Sequence, residues 1–277
     1  MLFESTGNYE YELILALGKA EIPFHRANPR CVRDYAKSRN LLAKTDRIDA
    51  KILAEFAAER KPNPQKLPTQ NELQFNELVR VQRQLTCDAA RLKTQVQQAK
   101  SPSTSMAFEQ VLTSLSTQIQ RLQEEIDMLI QNDPDFRRKN EILQSVPGVG
   151  PKTSAMLLTN LRELGTLTSG EAVSIVGLAP FNSDSGNCRK KRRIRGGRAC
   201  VRTALYLATL SAVRGCNPVL SEMFKRLLTA SKPFKVAMIA CARKLLIILN
   251  SLIRSKRKWE NRLQNTEKSN PISTGSP

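Results

Sequence analysis

Asp46 and Asp49 stand three positions apart in "TDRIDAKILAEF". In a helix that spacing puts both carboxylates on one face, about 5–6 Å apart. Two negative charges so close repel unless a cation lies between them. Glu4, closing the apolar stretch "MLFE", is of the residue type that could reach the same point from a neighbouring strand. Three hard oxygen ligands gathered in this way suit Mg²⁺, which keeps several waters and takes phosphate oxygens as further ligands. A plainer reading stands beside this one: acids in a first turn complement the helix dipole, and Arg47 and Lys51 are close by. A second constellation lies in "NSDSGNCRKKRRIRGGR", residues 182–198, where Ser185 and Gly186 run into Arg189, Lys190, Lys191, Arg192, Arg193 and Arg195. The single histidine, His25, is remote in sequence, so Ser185 lacks the usual general base. Its cationic neighbours suit attack on a phosphodiester better than on a carbonyl ester, because they neutralise the phosphate and stabilise charge building on its oxygens. A serine–phosphate adduct would conserve the broken bond's energy and allow resealing to a new strand. Against this, Asn, Asp, Ser and Gly make turns, and such a serine can be a spacer.

A third feature is "VPGVGPKT". Gly148 and Gly150 flank a tight turn, and Pro151 and Lys152 begin a helix whose free N–H groups could hold a phosphate, with Lys152 adding charge. This is the pattern of helix-hairpin-helix modules, which grip nucleic-acid backbone without reading sequence, though an ordinary turn would look the same. Arg198 joins the cations expected to hold backbone phosphate.

The charge distribution points the same way. Residues 1–70 carry 12 basic and 9 acidic side chains, residues 71–185 carry 11 and 13, and residues 186–277 carry 21 and 3. Almost the whole net charge of +19 therefore belongs to the last third. Such self-repulsion calls for a polyanion, and nucleic acid, which releases condensed counterions when its phosphates are neutralised, is the first choice. No run of about 18 apolar residues is visible, which speaks against a membrane span. The N-terminus has no basic segment of a secretory signal. The six cysteines are scattered without a C-x-x-C pair, and read as reduced thiols of a cytoplasmic protein.

The elements that must position these residues are mainly helical, with an incomplete α/β part. "MLFE" and "IPFHRANP" read as short strands separated by the helix of "YEYELILALGKAE". The helical segment "CVRDYAKSRNL" and a helix capped by Thr45 follow. Strand–helix–strand–helix alternation implies a parallel sheet, yet about two strands are too few for an independent domain. After the Pro-rich break "KPNPQKLP" come two long helices, the second with Leu115, Ile119, Leu122, Ile126 and Leu129 at coiled-coil spacing. That seam could serve packing on its own protein or self-association. The expected organisation is an α/β domain over 1–66, a helical or coiled-coil linker over 67–135, a helical domain over 140–258, and a polar, disordered tail over 259–277.

Together, "ESTGNYEYELILAL", "NPRCVRDYAKSRNLLAKTDRIDAKILAEF", "LQSVPGVGPKTSAMLL", "GLAPFNSDSG" and "IRGGRACVRTALYLATLSAVRGCNP" resemble, in content and order, the DEDD-type transposases of the insertion sequence 110 family, closest to its insertion sequence 1111 subgroup. The resemblance implies a RuvC-like, RNase H-fold N-terminal domain with four acids, a coiled-coil linker, and a C-terminal transposase domain whose serine attacks DNA. Glu4 matches the second acid, Asp46 and Asp49 the third and fourth, and Ser185 the serine. The first acid would lie on a strand preceding Met1, so the chain is expected to be N-terminally truncated and impaired as a recombinase. The resemblance further implies Mg²⁺, DNA and a structured guide (bridge) RNA as partners, a homo-oligomeric assembly, no membrane, and a bacterial cytoplasm in which the protein is nucleoid-associated when bound. Two other functions stay open: a catalytically dead nucleic-acid-binding remnant, and a RuvC-like nuclease in which the serine is idle.

Overall fold

Leu2–Glu4 (β1) and His25–Ala27 (β2) pair in parallel, with Leu2 opposite His25, Phe3 opposite Arg26 and Glu4 opposite Ala27. Parallel strands cannot be joined by a tight turn, and Tyr11–Lys19 (α1) lies in the crossover. The computed structural model describes residues 1–5, 10–43, 45–181 and 192–260, which fall into two units, Met1–Gln70 and Asn71–Pro277. In the first unit the pleat of β1 sorts its side chains. Phe3 packs with Ile14, Leu17 and Phe24 on one face. Leu2 joins Val32, Tyr35, Ala36, Ile52 and Phe56 on the other. This second face is covered by Pro29–Ser38 (α2) and Asp46–Arg60 (α3). Helix α2 starts where Asn28 accepts a bond from the Arg30 N–H, with Pro29 in the first position; Thr45 caps α3 through the Ile48 N–H. Both caps satisfy donors that a helix start leaves free. A two-stranded sheet does not by itself define an RNase H-like layer.

Among the described residues, the regular structure of the second unit is helical apart from one two-rung ladder. Gln70–Gln98 (α4) and Pro102–Asn132 (α5) form a long hairpin. Buried Gln82 ties them, donating to the Gln123 side chain at 2.9 Å and to the Ile119 carbonyl at 3.4 Å. On the expected α5 seam only Ile126 is fully buried; Leu115, Ile119, Leu122 and Leu129 are half-buried. Pro134–Gln144 (α6) is capped by Asp133, which accepts from the Asp135 and Phe136 N–H groups. Pro151–Asn160 (α7), Ser169–Val176 (α8), Ala199–Ser211 (α9), Pro218–Thr229 (α10) and Phe234–Ser255 (α11) then enclose one core. A π-helical turn, Ala212–Cys216, links α9 to α10.

Among the described residues, helix α11 is long and apolar enough by length and composition to cross a membrane, although Arg243 and Lys244 interrupt its apolar run. Its 22 residues have a mean hydropathy of 1.9 over their best window. Their buried side, Ala237, Met238, Cys241, Ala242, Leu245, Leu246 and Leu249, is the centre of the core, and Arg243 and Lys244 stand on the exposed side. That is the pattern of a core helix.

Candidate nucleic-acid interface

A short stem flanks the basic segment in sequence. Pro180–Phe181 (β3) pairs antiparallel with Arg193–Ile194 (β4), Pro180 opposite Ile194 and Phe181 opposite Arg193. Beneath the ladder two backbones touch. A Cβ on Gly197 would lie 2.3 Å from the Gly177 nitrogen, and one on Gly177 would lie 2.3 Å from the Gly196 carbonyl oxygen. Only glycine permits that approach, and all three residues have positive φ. Arg202 seals the contact by donating through Nη1 to the carbonyls of Gly196 (2.6 Å) and Val176 (3.0 Å), the latter in the last turn of α8. The last carbonyls of a helix need such donors. Sequence reasoning passed over Arg202, whose partners lie up to 26 residues away.

Above the stem, Arg192, Arg193 and Arg195 are exposed, and none has an ion-pair partner among the described residues. Arg195 places its guanidinium 5.3 Å from the centre of the Phe181 ring, a cation–π distance. Ser185, Arg189, Lys190 and Lys191 lie outside the described residues.

Arg198 departs from the role expected of it. Its guanidinium meets Glu163 in a two-pronged pair at 2.6 and 2.7 Å and donates to the Asn160 carbonyl at 2.8 Å. The hydrogen bond from Arg198 holds the Glu163 carboxyl below the ordinary carboxylate range, and Glu163 in turn raises the guanidinium pKa. The charge is neutralised within the protein, where it ties the start of α9 to the segment after α7.

The turn between α6 and α7 carries Gly148 and Gly150. Gly148 has φ +98° and faces α9 and the π turn, leaving 2.6 Å between a would-be Cβ and the Ala212 Cβ. Val146 and Val149 are buried on either side of it, and the Asn217 side chain donates to the Pro147 carbonyl at 3.4 Å. Gly150 is different: a Cβ there meets nothing within 4 Å. It is the N-cap of α7. No side chain caps the first turn of α7, and exposed Lys152 stands in it.

In the first unit, Asp46 and Asp49 occupy the first turn of α3, and pleat alternation puts Glu4 on the Leu2 face, the side α3 covers. No group of three His, Cys, Asp or Glu side chains among the described residues is close enough to hold a metal. The aspartates supply two hard oxygen ligands on one helical face, but Glu4 is not gathered to them. The three do not make a metal centre as they stand.

Comparison with known proteins accounts for both units. A transposase profile of the DEDD IS110 type matches residues 1–99, and a profile of the transposase IS116/IS110/IS902 family matches residues 140–225. The chain belongs to the IS110 family of transposases. Its relatives include the pilin gene-inverting proteins of Moraxella bovis and Moraxella lacunata, each 27% identical over 266 residues, covering 95% of this chain and 82% of theirs. The insertion element IS110 43.6 kDa protein of Streptomyces coelicolor is 27% identical over 155 residues, 55% of this chain and 37% of its own. The DEDD match also suggests a divalent metal. The two matched segments of this IS110-family chain contain, respectively, the aspartate pair and the stem with its hairpin turn.

Proposed function

We propose that this IS110-family chain is a site-specific DNA recombinase that cuts and rejoins strands through Ser185. The observation that supports it best is the stem: β3 and β4 flank the segment bearing Ser185 in sequence, and Arg193 and Arg195 are exposed there with no ion-pair partner among the described residues. In the proposed step the Ser185 oxygen bonds to the phosphorus of a DNA phosphodiester. The bond to one flanking strand oxygen breaks, and that oxygen leaves as a hydroxyl carrying a proton. The hydroxyl of a new strand then attacks the same phosphorus and returns the serine, so no bond energy is lost to water. Arg192, Arg193 and Arg195, joined by Arg189, Lys190 and Lys191, would neutralise the phosphate. The turn at Gly148 and Gly150 with Lys152 would hold flanking backbone in the manner of a helix-hairpin-helix.

Mg²⁺ is the divalent ion proposed, with Asp46 and Asp49, two hard oxygen donors on one helical face, as its ligands; Glu4 is not gathered to them. When bound it would supply further charge at the phosphate. We further propose that a structured guide RNA selects the DNA partners and that several copies of the chain assemble, because exchanging two duplexes needs several cuts. The separation of Glu4 from the aspartates favours, as a second reading, a DNA-binding protein without strand-cutting activity.

Ser185→Ala separates these readings. Under the first it abolishes strand exchange and the covalent protein–DNA adduct seen on denaturing gels, while duplex binding persists. If the variant still forms the adduct, Ser185 is not the nucleophile. If wild type forms none with any DNA or RNA supplied, the second reading stands.

A further inference from the structure

The tip of the α10–α11 hairpin brings exposed apolar and cationic side chains together. Helices α10 and α11 are joined by residues 230–233, and the turn is fixed by bonds from the Ser231 N–H to the Leu228 carbonyl (2.9 Å) and from the Lys232 N–H to the Leu227 carbonyl (3.1 Å). This turn sets Phe234 edge-on against Phe224, with ring centres 5.5 Å apart and planes at 88°. Phe234 is 51% exposed, and Leu228 (41%) and Val236 (54%) stand open beside it. Such an apolar group at the end of a hairpin is a cost in water unless something covers it.

Charge says what covers it. Lys225, Arg226, Lys232 and Lys235 are all exposed around the same turn. None forms an ion pair among the described residues. Between residues 186 and 259 the sequence contains one acid, Glu222. Cations interleaved with an exposed ring fit a strand that offers a phosphate and a base at each step. In a duplex the base faces are already stacked on one another and leave a phenyl ring nothing to cover. In a single strand the faces are free, and stacking on an aromatic is sequence-tolerant. The edge contact with Phe224 fixes the Phe234 plane in advance, so little freedom is lost on binding.

We infer that the α10–α11 tip binds unpaired DNA, with Phe234 stacking on a base and Lys225, Lys232 and Lys235 holding the adjoining phosphates. This rests on the transposase reading only in that rejoining strands exposes unpaired DNA; it needs neither Ser185 nor the carboxylates.

The test uses the full chain and fluorescence anisotropy with labelled oligothymidylate somewhat longer than a single-strand site of ~16 nucleotides, beside a duplex of equal length. Phe234→Ala should weaken oligothymidylate binding about tenfold, the loss expected of one stacked base, with an unchanged salt slope and unchanged duplex affinity. Phe234→Tyr should restore binding. Lys232→Gln with Lys235→Gln should reduce the slope of log K against log salt by about 0.7 for each phosphate no longer neutralised. The inference is overturned if Phe234→Ala binds oligothymidylate as wild type does, if it loses duplex binding equally, if matched oligouridylate binds more tightly than oligothymidylate, or if Phe234→Ala changes the sedimentation coefficient, which would make the tip an interface between copies. If wild-type protein binds no DNA of either form, the proposed function fails first, and a Phe234→Ala effect on duplex alone marks the failure of this site.

Discussion

Gly148→Ala tests how the hairpin turn is built. At φ +98° an alanine meets left-handed backbone strain of about 1–2 kcal/mol. Its Cβ would also stand 2.6 Å from the Ala212 Cβ and 2.9 Å from the Ala208 carbonyl oxygen, both on backbone that cannot swing aside. Overpacking of this kind costs about 1–3 kcal/mol. Together, about 3 kcal/mol of destabilisation is expected, and at ~2–4 °C per kcal/mol for a unit of this size the melting temperature should fall by about 6–12 °C. Gly150→Ala is the internal control. With nothing within 4 Å of the new Cβ, it should melt close to wild type, because the unfolded-state gain of up to about 1 kcal/mol is offset by alanine's poorer N-cap preference of similar size. It should nonetheless weaken duplex DNA binding several-fold, because the methyl group stands before the free N–H groups of α7. The assay is thermal melting by circular dichroism, with DNA affinity measured on the same samples. A Gly148→Ala melt within the ~2 °C that 1 kcal/mol would produce would refute the packing argument. Unchanged DNA binding by Gly150→Ala would remove this turn from the interface.

Three other outcomes are expected. Glu163 has a depressed pKa in the folded state, so its pairing with Arg198 stabilises above the ordinary carboxylate pKa of ~4.3 and is lost as pH falls through the folded value. The pair is 38% and 40% exposed and therefore screened, so Glu163→Gln should cost about 1 kcal/mol at neutral pH, and a gap that does not close in acid would contradict the assignment. Burial pushes the Cys241 thiol up to about 11, whereas Cys31, Cys87 and Cys216 are exposed; a thiol reagent in mild alkali should label those three in native protein and Cys241 only after unfolding, and equal rates would mean that the core face of α11 opens. Asp46→Asn with Asp49→Asn should keep the fold, at a cost of up to about 1 kcal/mol of helix-dipole energy per charge, and abolish Mg²⁺-dependent strand joining; retained joining would exclude the aspartates from the chemistry.

What could be read from sequence was local. Thr45 caps α3 because a cap joins residues three apart, and such a bond is visible in a string of letters. The two strands and the crossover between them followed from apolar runs and turn residues. The 4–3 spacing on α5 gave its apolar stripe but not its partner: Gln82 on α4, bonded across the hairpin to Gln123, was hidden in a polar stretch 41 residues away. Arg198 was misjudged for the same reason, since Glu163 lies 35 positions earlier and nothing near Arg198 announces it. Arg243 and Lys244 interrupt the apolar letters of α11 in the sequence, while three dimensions put those two on the outer side. Glu4 was correctly set at a strand end. Where its carboxylate ends up is a tertiary question, and the fold does not bring it to the aspartates.

The ladder between β3 and β4 has one more implication, for changes of length between its strands. Its two rungs, the paired glycines and Arg202 beneath them close the chain on itself before residue 182 and after residue 192. Closure entropy rises only logarithmically with length, so doubling the span between these anchors would cost about 0.6 kcal/mol. Changes of length between these anchors would thus cost the helical scaffold little stability, provided the anchors themselves are kept.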